Sequence, residues 1–292
     1  MAFPTPRVSV VMPTYNRSDL LPGAIDSIRN QTFADWELII VDDCSPDATP
    51  EVAQRYVSLD PRIRYIRNET NQKLPASLNI GHRATRGELI TWTSDDNFYR
   101  PLALERMVAA FDQDADVSVV YADCMMFDDD LKELGLAPVD DYDKLLIQNV
   151  VVACFMYRRQ VYEDLGGYDE ARFLVEDWHF WLRASLKYKM RHLREDLYLY
   201  RMHEGSLTST RLQEIHRRTA ELIDEFIGVA PYAKGTRLWE SRLQLVHYAK
   251  KAKRPDLMLK YGSLALLQRP GPTLARYASK VVNRLTNRRQ SP

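Results

Sequence analysis

Apolar residues in the first half of the chain fall in short β-branched runs that alternate with stretches of helical periodicity. Residues 8–12 (Val-Ser-Val-Val-Met) form a nearly continuous apolar run, the pattern of a strand buried on both faces. The loop Pro13-Thr14-Tyr15-Asn16 follows. Leu20, Leu21, Ala24, Ile25 and Ile28 then recur at helical spacing, with Ser18 or Asp19 to cap the helix. Pro22 sits in the first turn, where a missing N–H costs least. The alternation continues with a strand at 36–41, a helix from Asp47 or Thr49 to 59, a strand at 62–66 and a helix at 76–85. A strand at 89–92, a helix at 102–112 and a strand at 117–126 complete it. Such alternation predicts crossover connections, a parallel sheet and an α/β layered fold. Ligands of these sheets bind beyond the carboxyl ends of the strands. Three polar clusters fall there: Pro13 to Asn16, Asp42-Asp43, and Ser94-Asp95-Asp96-Asn97.

The second half is less regular. A strand is expected at 150–157 and a short helix at 158–165, stopped by Gly166-Gly167. Tyr168-Asp169-Glu170 reads as a turn. A helix at 176–187 directs Trp178, Trp181, Leu182 and Ser185 inward, and 193–200 alternates as a strand. From Thr210 onward the pattern is helical throughout: 212–226, 235–251, 255–268 and 272–285. Pro231, a turn at 253–255 and Pro270-Gly271-Pro272 punctuate these helices. A domain boundary near Thr208 divides the chain into 1–208 and 209–292. No internal repeat or low-complexity tract occurs.

Composition narrows the partners. The 292 residues carry 40 basic and 40 acidic side chains, so no bulk field favours nucleic acid. The charge is unevenly spread: 273–292 holds Arg276, Lys280, Arg284, Arg288 and Arg289 and no acidic residue. Leu274, Tyr277, Val281 and Leu285 lie among them at helical spacing. A basic amphipathic helix of this kind suits either an anionic membrane surface or a packing or dimerising role. Cys44, Cys124 and Cys154 are too widely spaced for a metal or disulfide pattern and read as free thiols. The N-terminus lacks the apolar core of a signal peptide, and the longest apolar run, 150–157, is too short to span a bilayer. The expectation is a cytoplasmic protein whose membrane contact is peripheral.

The most pointed chemistry is the abrupt ending of the apolar run Leu89-Ile90-Thr91-Trp92 in two adjacent carboxylates. Asp95 and Asp96 could hold a hard divalent cation, which prefers oxygen ligands, and through it a diphosphate. Alone, the pair reads equally well as a solvated turn that caps the next helix. Two other polar clusters at the same sheet edge favour a nucleotide site.

At this point the residues resemble a family. Val8-Ser9-Val10-Val11-Met12-Pro13-Thr14-Tyr15-Asn16 is similar to the opening strand of family 2 glycosyltransferases, which have the GT-A fold, a mixed α/β sheet flanked by helices. Gln31-Thr32-Phe33, then Glu37 through Asp42-Asp43-Cys44-Ser45, resembles that family's second strand and turn, with Cys where Gly or Asn is usual. Gly87-Glu88-Leu89-Ile90 leading to Ser94-Asp95-Asp96 resembles its metal-binding strand end, with Ser94 where the family usually has Asp. Gly166-Gly167-Tyr168-Asp169 and Glu176-Asp177 resemble later landmarks. The resemblance covers residues 7–208, and the motifs are specific as an ordered set. The C-terminal helices match no known pattern.

The resemblance implies inverting transfer of a sugar from a nucleotide-diphosphate donor to an acceptor hydroxyl, in polysaccharide, capsule, O-antigen or glycolipid synthesis. It implies that Pro13, Tyr15 and Asp43 read the base, with a weak preference for a UDP-sugar. Mg²⁺ or Mn²⁺ falls to Asp96, with Asp95 toward the ribose or donor sugar, and Lys73 adds charge near the donor or is simply solvated. Asp177 is the candidate general base, and its neighbour Glu176 fits a first-turn residue favoured by the helix dipole. His203, in Arg201-Met202-His203, is either a further metal ligand or structural. Trp178 and Trp181 line an acceptor pocket or belong to the core. The implied partners are the donor and a saccharide or lipid-linked saccharide acceptor, with a homodimer also open. Two alternatives stand beside this reading. A nucleotidyltransferase would usually carry a Gly-rich basic loop after the first strand, and Pro13-Thr14-Tyr15-Asn16 has no glycine. A non-catalytic carbohydrate-binding module would not need Asp43, Asp96 and Asp177 together.

Overall fold

The computed structural model describes residues 5–276. Its elements in chain order are β1 (Val8–Thr14), α1 (Leu21–Arg29), β2 (Trp36–Asp42), α2 (Thr49–Leu59), β3 (Ile63–Arg67), α3 (Leu74–Ala84), β4 (Leu89–Trp92), β5 (Phe98–Tyr99) and α4 (Ala103–Gln113). Then come β6 (Val117–Phe127), β7 (Glu133–Leu136), β8 (Phe155–Arg158), α5 (Arg159–Leu165), α6 (Glu176–Ser185), β9 (Lys189–Arg201), α7 (Leu207–Thr210), α8 (Leu212–Phe226), α9 (Gly235–Lys251) and α10 (Pro255–Gln268). Chain contacts separate two compact units. One comprises 1–145 and 149–210, the other 146–148 and 211–292.

The first unit is built on one mixed sheet, in the order β3-β2-β1-β4-β8-β6-β9-β5, with β7 hydrogen-bonded to β6. The expectation of a parallel sheet holds for β1 to β4, which pair in parallel, and again for β6 with β9. It fails where β8 inserts antiparallel between β4 and β6, and where β5 pairs antiparallel with β9. The strand expected over 150–157 begins only at Phe155. Val150 and Val151 are fully buried without joining the sheet, so burial alone mimicked a strand there.

Strands β1 and β2 are buried at every position, which explains their unbroken apolar runs. Leu21, Ala24, Ile25 and Ile28 of α1 and Leu104, Met107 and Phe111 of α4 share one core with Val8, Val10 and Met12. The opposite face takes α3. A Cβ on Gly81 would lie 2.3 Å from Val11 Cγ1 and 2.9 Å from Val41 Cγ2, so glycine lets this helix approach β1 and β2. Gly166 ends α5 in the left-handed conformation, φ +68°, as the Gly-Gly pair suggests.

The second unit contains α8, α9 and α10. Their apolar stripes bury Ala220, Ile223, Leu245, Ala249, Leu257 and Ala265. The Trp239 indole N–H donates to Thr273 Oγ1 at 2.8 Å. Leu259, Leu266, Leu267 and Leu274 stay exposed. The basic helix expected over 272–285 lies outside the described residues beyond 276. No described helix is long and apolar enough to cross a membrane.

Candidate active site

Asp42 and Asp43 leave the end of β2 with different tasks. Asp42 is fully buried and accepts from Ser45 N at 2.8 Å and Tyr65 Oη at 2.6 Å, with Arg67 at 3.7 Å. It holds the turn. Asp43 accepts from Asn68 Nδ2 (2.8 Å) and Gln72 N (2.7 Å) on Oδ1, and from Lys73 N (2.8 Å) on Oδ2. A carboxylate offers about four acceptor sites, so roughly one remains, on Oδ2. Cys44 sits at φ +66°, which explains why glycine or asparagine suits that position. Lys73 also has positive φ. Its backbone fixes Asp43, and its ammonium stands 5.6 Å from the Phe173 ring centre.

The loop after β1 is tied to the loop after β2. Asn16 N donates to Ser45 Oγ (2.9 Å), Arg17 N to Thr49 Oγ1 (3.0 Å) and Ser18 N to Asp47 Oδ2 (3.1 Å). Pro13 is buried within β1, while the Tyr15 ring is 48% exposed and open to a flat ligand.

Asp95 and Asp96 occupy the turn between β4 and β5. Because β5 runs antiparallel to β9, this turn meets the segment that leaves β9. Arg201 N donates to Asn97 Oδ1 at 2.7 Å, and Arg201 Nε to the Asp96 carbonyl at 3.1 Å. The Arg201 guanidinium lies 4.7 Å from the Phe127 ring centre. Two residues on, His203 Nε2 stands 3.1 Å from Asp96 Oδ2. Asp95 is buried, with Arg17 Nε at 4.0 Å. Burial and then the neighbouring Asp96 charge push its pKa up to about 7, against weaker pulls from Thr14, Arg17 and the Tyr15 backbone. Sequence reasoning placed Asn97 in a polar cluster without a role and missed Arg17, because both act through contacts remote in the chain.

Asp177 stands in the first turn of α6, expected over 176–187 and observed over 176–185. Burial raises its pKa, while hydrogen bonds from Trp178 N (2.7 Å) and Asn149 Nδ2 (2.8 Å) oppose the rise. Burial raises the Tyr200 pKa as well. The charges of Asp96 and then, more weakly, Asp177 add to that rise. Trp178 and Trp181 are core residues. The Trp178 indole N–H donates to the Leu145 carbonyl at 2.7 Å, and Trp181 is fully buried against Phe155, Tyr157 and Phe180. The acceptor-pocket alternative for these rings is therefore set aside.

A buried relay joins β4, the segment before α6, and α3. Trp92 Nε1 lies 2.8 Å from Tyr168 Oη, which lies 3.1 Å from Tyr157 Oη, which lies 2.6 Å from His82 Nε2. His82 Nδ1 is 2.6 Å from the Leu78 carbonyl, which can only accept. Burial lowers the His82 pKa to about 4, so the ring is neutral at pH 7 and its other nitrogen accepts. Each hydroxyl then donates toward His82, and the indole supplies the first proton of the chain. Asn79 of α3 clamps Tyr168 further, accepting from its N–H at 2.9 Å and donating to its carbonyl at 2.8 Å.

The donor set at Asp96 and His203 is one carboxylate and one imidazole. No group of three or more candidate ligands occurs among the described residues. A pair of this kind fits a hard divalent cation that takes most of its oxygens from a diphosphate and water. No protein ligand beyond Asp96 and His203 is needed for that fit.

The model of Glycosyl transferase family 2 matches residues 9–166, more than half of the chain. EpsE of Bacillus subtilis (strain 168) is 32% identical over 203 residues, covering 67% of this chain and 73% of EpsE. The S. aureus TarS 1–349 structure in complex with UDP superposes with a TM-score of 0.63 at 19% identity, over 84% of this chain and 72% of that one. Mannosyltransferase PcManGT from Pyrobaculum calidifontis, in complex with GDP-Man and Mn²⁺, gives a TM-score of 0.65 at 20% identity, over 96% and 81% of the two chains. Both structural likenesses concern the fold, the mixed α/β sheet of GT-A glycosyltransferases.

Proposed function

This chain is a member of glycosyl transferase family 2, a glycosyltransferase, and from that premise we propose that it is an inverting, metal-dependent enzyme using a UDP-sugar donor. The catalytic machinery lies within 1–208, and 209–292 serves acceptor, dimer or membrane contacts. Family membership displaces the nucleotidyltransferase and binding-module alternatives. The observation that carries the reading is the pairing of Asp96 Oδ2 with His203 Nε2 at 3.1 Å, a carboxylate and an imidazole set together past the ends of β4 and β9 in a chain of this family.

Each residue then has a task. Tyr15 offers an exposed ring for the base, beside Pro13, and the remaining acceptor site of Asp43 suits the uracil imide N–H. That match favours uridine over guanosine, although the fold neighbours include complexes with each. Asp96 and His203 would hold Mg²⁺ or Mn²⁺, which supplies Lewis-acid stabilisation of the departing diphosphate. Asp95 reaches the ribose or donor sugar, and Lys73 adds positive charge at the rim. Asp177 accepts the proton of the acceptor hydroxyl as it attacks, and its raised pKa brings it nearer the range a general base needs.

A saccharide or lipid-linked saccharide acceptor suits the family reading, with the reaction on the cytoplasmic side. The exposed leucines of α10 together with the basic residues of 273–292 support a peripheral contact with an anionic bilayer. Co-sedimentation with phosphatidylglycerol vesicles should fall when the chain is cut after Gln268, and equal binding by both forms argues for a packing or dimerising role instead. A thermal-shift screen of UDP, GDP and their sugars with Mn²⁺ tests the donor. UDP compounds should give the largest rise in Tm, and a larger rise with GDP-sugars overturns the uridine assignment.

A further inference from the structure

One contact at the site has no counterpart in any sequence motif. Asn149 lies 28 positions before Asp177, in the irregular segment ahead of β8, and is half-buried. Its amide can face the carboxylate in only one way. Two oxygens brought to 2.8 Å would repel, so the NH₂ group must point at Asp177 Oδ2. The amide oxygen is thereby turned into the protein, where it is buried with no hydrogen-bond partner. A buried orphan acceptor is unfavourable, and a fold that keeps one here gains something from the other end of the amide. Trp178 N holds Asp177 Oδ1, so the two donors together fix both oxygens and the plane of the carboxylate.

We infer that Asn149 is a positioning residue that orients Asp177 toward the acceptor hydroxyl and keeps it ionised when the site closes on substrate. This rests on the reading of Asp177 as general base. Burial pushes the Asp177 proton affinity up, and the Asn149 amide is one of the hydrogen bonds that oppose it. Three other titratable groups adjoin it. Tyr168 and Tyr200 stand on the segment before α6 and on β9, and both keep their protons at neutral pH. Glu176 precedes it on α6. His179, two residues further along, lies toward Asp169 at 4.0 Å.

The test uses the full chain, a panel of UDP-sugars with Mn²⁺, and UDP release as the readout, with water or added saccharide as acceptor. Asn149→Asp, nearly isosteric, places a second carboxylate against Asp177. It should move the acid limb of the kcat/KM profile up by about one pH unit or more. Asn149→Ala should lower kcat about tenfold with KM for the donor within about twofold of wild type. Thermal shift with UDP and Mn²⁺ confirms that each variant is folded and binds. Unmoved acid limbs and unchanged kcat in both variants overturn the positioning role. Asp177→Asn runs in parallel. If it still turns over at the wild-type rate, the general-base assignment falls. If it is inactive while both Asn149 variants match wild type, only the positioning role falls.

Discussion

Glu37 and Asp95 are buried carboxylates at opposite ends of β2 and β4, the two strands that flank β1, and they are treated in opposite ways. Glu37, near the start of β2, accepts from Ser9 Oγ at 2.8 Å, Arg86 N at 2.7 Å and Arg86 Nε at 2.9 Å, with Arg64 at 3.4 Å. Burial alone would raise its pKa, but these partners outweigh burial and lower it. Asp95, past the end of β4, has one guanidinium at 4.0 Å and a second carboxylate beside it, and is pushed up to about 7. Glu37 is satisfied within the chain and locks β1, β2 and the α3–β4 loop together. Asp95 is left short of positive charge, as a group awaiting a ligand would be. The sheet is stapled at one edge and held ready at the other.

The largest effects should come from the edge held ready. Asp96→Ala should lower donor turnover about a thousandfold or more, because several kcal/mol of charge stabilisation depend on the cation it would hold. Its Tm should stay close to wild type, and normal UDP-sugar turnover with Mn²⁺ present would remove Asp96 from the site. Asp177→Asn should cost about 10²–10⁴ in kcat with UDP affinity retained. Weakened UDP binding in that variant would instead place Asp177 in the donor pocket.

Smaller, and of opposite sign, are the effects on stability. Glu37→Gln should destabilise the fold by about 2 kcal/mol at pH 7. That is below the cost of breaking a fully buried pair, since the Arg64 and Arg86 side chains are each 42% exposed. Glu37 has a lowered pKa, so its contribution is present above the unfolded value of 4.5 and is lost as pH falls through the folded one. The deficit of the variant should therefore shrink below pH 4.5. Asp95 behaves inversely. The folded, metal-free chain keeps this proton up to about pH 7, whereas the unfolded chain releases it near 3.8, so stability falls as pH rises through that window. Asp95→Asn cannot ionise and should stabilise the metal-free protein by roughly 2–4 kcal/mol at pH 8 and hardly at all at pH 4. Urea unfolding in EDTA at the two pH values reads both. Destabilisation by Asp95→Asn at pH 8 would erase the contrast between the two edges.

Where the strands end was more legible in the sequence than how they pair. Apolar runs ending in Asp42-Asp43 and Asp95-Asp96 are local signals: β2 is buried at every position and β4 at every position but Trp92. Pairing direction is not local: nothing in Phe155 to Arg158 says that β8 runs antiparallel between β4 and β6. The two residues of β5 are too few to show a period, yet they bring Asp96 to His203. Val150 and Val151 carry a strand's residues in a segment that packs without pairing. Asn149, Arg17 and Asn97 each act through partners from 28 to 188 positions away, and only folding brings them into contact.

The most direct test of a cation-held diphosphate on Asp96 opposite a base at Asp177 is calorimetric titration of UDP with and without Mn²⁺. Wild type and Asp177→Asn should both bind UDP more tightly when Mn²⁺ is present, and Asp96→Ala should lose that gain. Full Mn²⁺ enhancement in Asp96→Ala would contradict the assignment of the site.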